Sequence, residues 1–390
     1  MNEYGEGAPA YLTFRVMPQQ GPIAAFAEEE ALRARERYPE LMGMGLPTFY
    51  FTRESERGGW EILSEGGTTP QSARDGLGTH FRRMAADSDS GKRAKAAMAA
   101  VDKLEWVAVN EMTVLHRRYR IVRSEQFIRM GPDGPEPPRP SDPDPGRRTP
   151  GESHALPSRT PGFMIDPYTG TGLSEGLLRY DLANFVVAPG AVTEEVFRDA
   201  QRARHTHPGT VLLPAEFAIA EREAGRWRSY TGSCPTPQGA RDALTTHFRI
   251  VKPALQELTE TAERAYAEAA DRFDEGCGTG VSVLGRHFRV IRVEQVVRIG
   301  PDGPEPPRPS DHDPELPASA HMKKMKEAGL WEEPAEDDPP VELTPQQRRL
   351  ITLMERDRSR RRARAEARET RLREGGGHRP GEDRSPEAPE

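Results

Sequence analysis

Lysine is scarce in this 390-residue chain: seven of the 55 basic residues, the other 48 being arginine. Cysteine is scarcer, with only Cys234 and Cys277. Two cysteines exclude a disulfide framework, so a reducing, cytoplasmic compartment is expected. No apolar run approaches the roughly 18 residues a membrane span needs. The opening MNEYGEGAPA has no basic segment followed by an apolar one, so no signal peptide is expected. A formal net charge of −7 argues against generic nucleic-acid binding by the whole chain. Phosphate-loop and dinucleotide fingerprints are missing, as is zinc-type Cys/His spacing, so no cofactor and no metal are expected. His205, His207 and the Asp311-His312-Asp313 run are ligand-type residues, but each occurs in only one half of the chain.

What the chain has in excess is glycine and proline, 73 of 390 residues, against about 12% in average usage. Long irregular stretches should follow. Part of this excess is a duplication. Gly131 to Asp142, GPDGPEPPRPSD, returns unchanged as Gly300 to Asp311. Each copy follows a related segment, RYRIVRSEQFIRM from Arg118 and HFRVIRVEQVVRI from His287. A second gapless match aligns Trp60–Arg82 with Trp227–Arg249 and holds twelve identities in 23 pairs. The chain is therefore two copies of one unit.

Each copy reads as β-α-β-β-α-β. In the first, Tyr11–Met17 is a strand and Ile23–Tyr38 a helix. Leu46–Arg53 and Gly59–Leu63 form a hairpin turned at Gly58-Gly59. Thr69-Pro70-Gln71 opens the second helix, because a threonine hydroxyl caps a free N–H and proline at the first helical position loses no bond. A further helical piece runs from Lys92 to Leu104, and Met112–Met130 is the terminal strand. The expected fold is α+β, two tandem ferredoxin-like repeats joined by a Pro-rich linker. The expected divisions are 10–145, first repeat; 146–174, linker; 175–317, second repeat; 318–343, acidic and disordered; 344–374, an Arg-rich helix; and 375–390, a disordered tail.

The paired segment ending in GPDGPEPPRPSD resembles an uncharacterised family of actinobacterial proteins, in which a strand rich in Arg and Glu also leads into such a run. The resemblance covers roughly residues 10–317. It implies a bacterial, cytoplasmic protein and no particular activity, so no catalytic residue follows from it.

Four candidate sites come from the residues themselves. The Pro-rich arms are extended and pre-ordered, and Arg139 and Arg308 offer planar forks for carboxylates. The arms are expected to close their own domains; the alternative is a grip on a partner or on the other copy. Strand alternation puts Arg123, Glu125 and Arg129 on one face, as it does Arg292, Glu294 and Arg298. That face is expected to be exposed and ion-paired; the alternative is an anion site at the base of each arm. His80 and His247 sit beside the apolar face of the Thr-Pro helices, either as half-buried structural histidines or in a ligand or catalytic pocket.

The last candidate is the tail. Arg348–Glu374 carries eleven arginines against five acids, and Arg358, Arg360, Arg361, Arg362 and Arg364 crowd its middle. A polyanion would relieve their repulsion. The alternatives are a solvated helix or one docked through Leu350, Leu353 and Met354. The leading functional expectation is a non-enzymatic interaction protein that holds a protein partner or itself through the arms and charged strand faces. The alternatives are a nucleic-acid-associated protein and a small-molecule binder or enzyme near His80 and His247.

Overall fold

The computed structural model describes residues 9–375, without 19, 145–157, 186, 277 and 332–342. The first copy contains α1 (Pro22–Arg37), β1 (Glu40–Gly43), β2 (Thr48–Glu54), β3 (Trp60–Ile62), α2 (Pro70–Ala86), α3 (Gly91–Trp106), β4 (Glu111–Val114), β5 (Arg117–Gly131) and β6 (Gly134–Pro135). Between the copies lie β7 (Met164–Ile165) and α4 (Leu173–Ala183). The second copy contains α5 (Glu194–Thr206), β8 (Gly209–Glu223), β9 (Arg226–Ser229), α6 (Pro237–Thr246), a π-helical turn at His247–Val251, α7 (Lys252–Leu255), α8 (Glu260–Glu275), β10 (Gly280–Val283), β11 (Arg286–Gly300) and β12 (Gly303–Pro304). Two helices follow, α9 (Ala318–Glu327) and α10 (Pro345–Gly375). The fold is α+β, with a curled antiparallel sheet.

The caps behave as their chemistry requires. Ser72 N–H donates to the Thr69 hydroxyl at 3.1 Å, and Gly239 N–H donates to that of Thr236 at 3.1 Å. Inside the helices, Ala73, Leu77 and Phe81 pack on Phe49 and Phe51, and Ala240, Leu244 and Phe248 pack on Phe217 and Ile219. Truncating such a core leucine to alanine costs about 2–5 kcal/mol.

The element order departs from expectation in two places. Tyr11–Met17 is not a strand; it holds a 3-10 turn, Ala10–Leu12, and one bridge from Val16 to Thr171. The terminal strand is a hairpin, β4–β5, turned at Leu115 and His116, both at positive φ. The first copy is thus α-β-β-β-α-α-β-β-β and the second α-β-β-α-α-α-β-β-β, and every pairing between the named strands is antiparallel.

The copies meet in one sheet, ordered β7-β3-β2-β5-β11-β8-β9. At its centre β5 pairs with β11, with Gln126 opposite Gln295 and Glu125 opposite Val296. Gln126 and Gln295 are equivalent positions, so the pseudo-twofold axis passes between them. A buried cluster crosses this junction, joining Tyr50, Ile62 and Val122 to Val211, Leu213, Val297 and Ile299.

Residues 158–174, expected as linker, belong to this body. Ile165 is fully buried, β7 pairs with β3, and Ile62 N–H donates to Phe163 O at 2.9 Å. The linker's first part, 145–157, lies outside the described residues, as does the acidic core of 318–343. Its start is ordered as α9, where Ser319 Oγ donates to Glu105 at 3.1 Å. Residues 376–390 also lie outside the described residues.

Candidate functional site

Each arm starts on its own strand and finishes on the other copy. Glu136 N–H donates to Arg129 O, and Glu136 O then accepts from Arg292 N–H, both at 2.9 Å. The second arm mirrors this: Glu305 N–H donates to Arg298 O and Glu305 O accepts from Arg123 N–H, again at 2.9 Å. Further along, Arg292 donates to Asp142 at 3.1 Å and Arg123 to Asp311 at 2.9 Å. At the arm ends, Arg241 bonds Asp144 at 2.6 Å and Arg74 bonds Asp313 at 2.7 Å. Each arm also holds its own copy, Ser141 N–H donating to Glu30 at 2.8 Å and Ser310 N–H to Asp199 at 2.9 Å, so the expectation that each arm packs on its own domain covers only part of its contacts, and the rest are made across to the other copy.

The GPDG turns explain part of the sequence identity. The Arg120 guanidinium stacks on Trp60 at 4.9 Å and donates to Pro304 O at 3.0 Å. Arg289 does the same with Trp227 at 4.9 Å and Pro135 O at 3.2 Å. Gly134 and Gly303 have φ of +106° and +115°, and a Cβ on either would collide with the indole it faces. Only glycine satisfies both the backbone and the stack.

The charged strand faces come together as two equivalent clusters. In the first, Glu125 receives Arg123 at 2.8 Å, Arg308 at 3.0 Å and Arg298 at 3.5 Å. Burial pushes the Glu125 carboxyl up, but Arg123, Arg308 and Arg298 outweigh it and hold the pKa at about 2. Arg308 also binds Glu305 at 2.6 Å. In the second, Glu294 contacts Arg292, and Arg139 at 3.5 Å; Arg139 binds Glu136 at 2.6 Å. Burial lowers the pKa of Arg129 and Arg139 adds to this, while Glu294, Glu136 and Asp181 oppose it. For Arg292 and Arg308, burial is outweighed by the facing carboxylates and the pKa is raised.

The expected exposure of these faces is corrected too. Arg123, Arg129, Glu294, Arg298 and Arg308 are all at most 9% exposed. The cover is the other copy's arm, which a pattern of alternation within one strand does not reveal. Asp142, Asp311, Glu136 and Glu305, which complete the clusters, were passed over although they stand inside the identical motif.

Each cluster opens into a cavity. The first, about 430 Å³, is bordered by Arg123, Glu125, Arg298 and Arg308 with Phe127, Phe185, Val196 and Phe197. The second, about 570 Å³, is bordered by Arg129, Arg139, Arg292 and Glu294 with Phe163, Leu178, Leu212 and Leu213. All eight charged strand and arm residues singled out in the sequence therefore face one cavity or the other.

The histidines do not border either cavity. His80 lies among Phe51, Phe81 and Tyr119 at centroid distances of 5.8, 5.7 and 6.0 Å, and its buried Nε2 has no hydrogen-bond partner. His247 packs on Tyr230 at 4.8 Å. Burial lowers the pKa of both.

The tail helix starts as its capping box dictates: Gln347 N–H donates to the Thr344 hydroxyl and Thr344 N–H to Gln347 Oε1. It docks on the second copy. Arg361 donates to the Thr246 hydroxyl at 3.2 Å, Arg360 contacts Asp271, and Arg349 binds Glu263 at 2.5 Å. Arg358 and Arg362 are exposed, and the Arg364 side chain lies outside the described residues. Among the described residues no group of His, Cys, Asp or Glu could hold a metal ion, and no helix is long and apolar enough to cross a membrane.

No curated protein and no solved structure matches the chain. Residues 21–314, which take in both copies and both arms, match the family described as Family of unknown function (DUF5954), and the chain belongs to that family.

Proposed function

We propose that this protein binds small molecules, without catalysing a reaction, in the two cavities at the junction of its copies. The observation that carries the reading is that these cavities are related by the duplication, and each opens onto one of the two equivalent Arg/Glu clusters. Their sizes fall in the range of roughly 300–1,000 Å³ usual for ligand sites, and each combines apolar walls with a few converging polar groups. The charged groups suit holding better than proton transfer. Glu125 stays ionised down to about pH 2, whereas a general base works best with a pKa near the operating pH. The arms and strand faces that would grip a separate protein are engaged with each other inside the chain, which favours a small ligand over a protein partner.

The test is native mass spectrometry of the full chain, with a metabolite-extract thermal-shift screen beside it. Ala31 and Ala200 border the second and first cavities respectively. The expected result is a bound mass or a stabilising compound whose effect Ala31→Trp or Ala200→Trp removes. Finding neither would overturn the reading.

A further inference from the structure

We infer that the second cavity takes a monocarboxylate with an apolar body, its carboxylate held by Arg129. The inference rests on the ligand-binding reading above and names the ligand class for one of the two cavities. Arg129 is 3% exposed, yet among the described residues its guanidinium makes no hydrogen bond, and its buried Nε has no partner. Buried arginines normally satisfy their fork, since a buried charge left without hydrogen bonds is costly. Arg298, its equivalent, shares the unbonded Nε, which lies 3.5 Å from Glu125, but its two terminal nitrogens donate to Leu182 O at 3.2 Å and Ala183 O at 3.5 Å, whereas those of Arg129 donate to nothing among the described residues. Arg129 borders a cavity large enough for a ligand to supply what it lacks.

The neighbours set the charge of that ligand. Glu294, Glu136 and Asp142 are taken up by Arg139 and Arg292. Glu28, at the rim, accepts from Ser174 N–H and its hydroxyl at 2.6 and 2.7 Å. These carboxylates would repel a dianionic phosphate, while a single negative charge matches the one open fork. Arg159, exposed at the cavity edge, adds a positive charge along the way in. Phe163, Leu178, Leu212 and Leu213 offer the apolar surface, and a planar guanidinium takes a carboxylate through two parallel bonds.

Octanoate, with benzoate and acetate beside it, is the probe; 1-octanol and inorganic phosphate are the controls. Calorimetry and thermal unfolding of the full chain are the readouts. Octanoate should bind and raise Tm, while octanol and phosphate should not. Arg129→Met should weaken octanoate binding about 10- to 100-fold, the worth of a buried bidentate pair. It should also raise Tm without ligand, because it removes a buried charge that lacks a hydrogen-bond partner. A merely structural arginine would lower Tm. Arg129→Lys, which keeps the charge and loses the fork, should fall between and serves if the Met variant does not fold. Arg159→Ala should slow association more than it speeds dissociation. Equal responses to octanol and octanoate, unchanged binding by Arg129→Met and Arg129→Lys, or no response to any of the three carboxylates would overturn the inference. If the mass-spectrometric test then still finds a neutral ligand removed by Ala31→Trp, the binding function stands and only the ligand class fails.

Discussion

Arg129 and Arg298 occupy the same position in the two copies, on the same strand, beside the same Arg/Glu pairs. The terminal nitrogens of Arg298 are taken up by the chain, because the C-terminal carbonyls of α4 lie against them, while its Nε stays unbonded like that of Arg129. Helix ends carry unpaired carbonyls with partial negative charge, so they accept a guanidinium readily. Among the described residues Arg129 has no such helix. In the first copy, the residues 169 positions before α4 hold only the 3-10 turn Ala10–Leu12 among those described. The walls differ as well. Val196 and Phe197 in the first cavity stand where the second has Ala27 and Glu28. Duplication therefore supplied two equal frames, and one helix without a counterpart among the described residues makes them unequal. It filled the polar end of one cavity and left that of the other for a ligand.

The largest effect should come from the shared frame. Glu125→Gln removes the negative charge shared by three buried arginines and should cost about 3–5 kcal/mol, as does breaking other buried ion pairs from one side. Urea unfolding of the full chain measures it, and Glu294→Gln should cost a similar amount if the clusters are equivalent. The pH dependence has a fixed sign. A carboxyl held at about 2 in the fold, against 4.5 ordinarily, contributes stability that is present above pH 4.5 and lost as pH falls toward 2. Glu125→Gln should flatten that acid limb; an unchanged limb would show that Glu125 is not its source.

Next in size is the contrast itself. Arg298→Met leaves the carbonyls of Leu182 and Ala183 without that donor and takes one partner from Glu125, a loss of about 3 kcal/mol. Its sign should be opposite to that of Arg129→Met. Losses of equal size at both positions, measured by urea unfolding, would erase the distinction between the cavities.

A smaller effect tests whether the exchanged arms are truly equivalent. Gly134→Ala and Gly303→Ala each force a Cβ against an indole at positive φ, and each should cost about 1–3 kcal/mol. The two values should agree within about 0.5 kcal/mol. Loss at one position alone would mean that only one arm is essential to the junction.

Much of this was legible. The Thr-Pro caps, the amphipathic α2 and α6, the duplicated arm and the pairing of Arg with Glu on alternate positions all followed from local spacing. The hairpin at Leu115-His116 did not, because leucine rarely accepts positive φ and the pair carries no glycine or asparagine; Gly285 marks the same turn in the second copy. The covering of Arg123 and Arg292 was hidden for a different reason. Their covers, Asp311 and Asp142, lie in the other copy, and no periodicity within one strand reports a contact of 188 or 150 residues' separation. The cavities were invisible on the same ground, since α1, α4 and α5 wall them from the far side of the sheet junction. The eight cavity-facing charges were found because they repeat, while the reason they matter required the exchange.

The smallest expected effect concerns His80 and His247, which sit at equivalent places in the two helix–sheet cores rather than at the cavities. Burial lowers both pKa values. At His80, Arg53 and Arg83 add to this and Glu61 opposes it; at His247, Lys252 and Arg286 add and Glu221 opposes. A histidine that resists protonation in the fold but accepts it when unfolded draws the chain toward unfolding as pH falls through about 6.5. The contribution levels off once pH passes below the folded pKa. His80→Phe and His247→Phe should each reduce the drop in Tm between pH 7.5 and pH 5.0, by similar amounts, and the double variant should reduce it by their sum because the sites share no partner. His207 and His287 also have lowered pKa values, so part of the drop should survive in the double variant. Octanoate affinity should be unaffected in all three. A change in that affinity would tie the histidines to the ligand, and unequal effects at His80 and His247 would show that the inequality of the cavities extends into the cores.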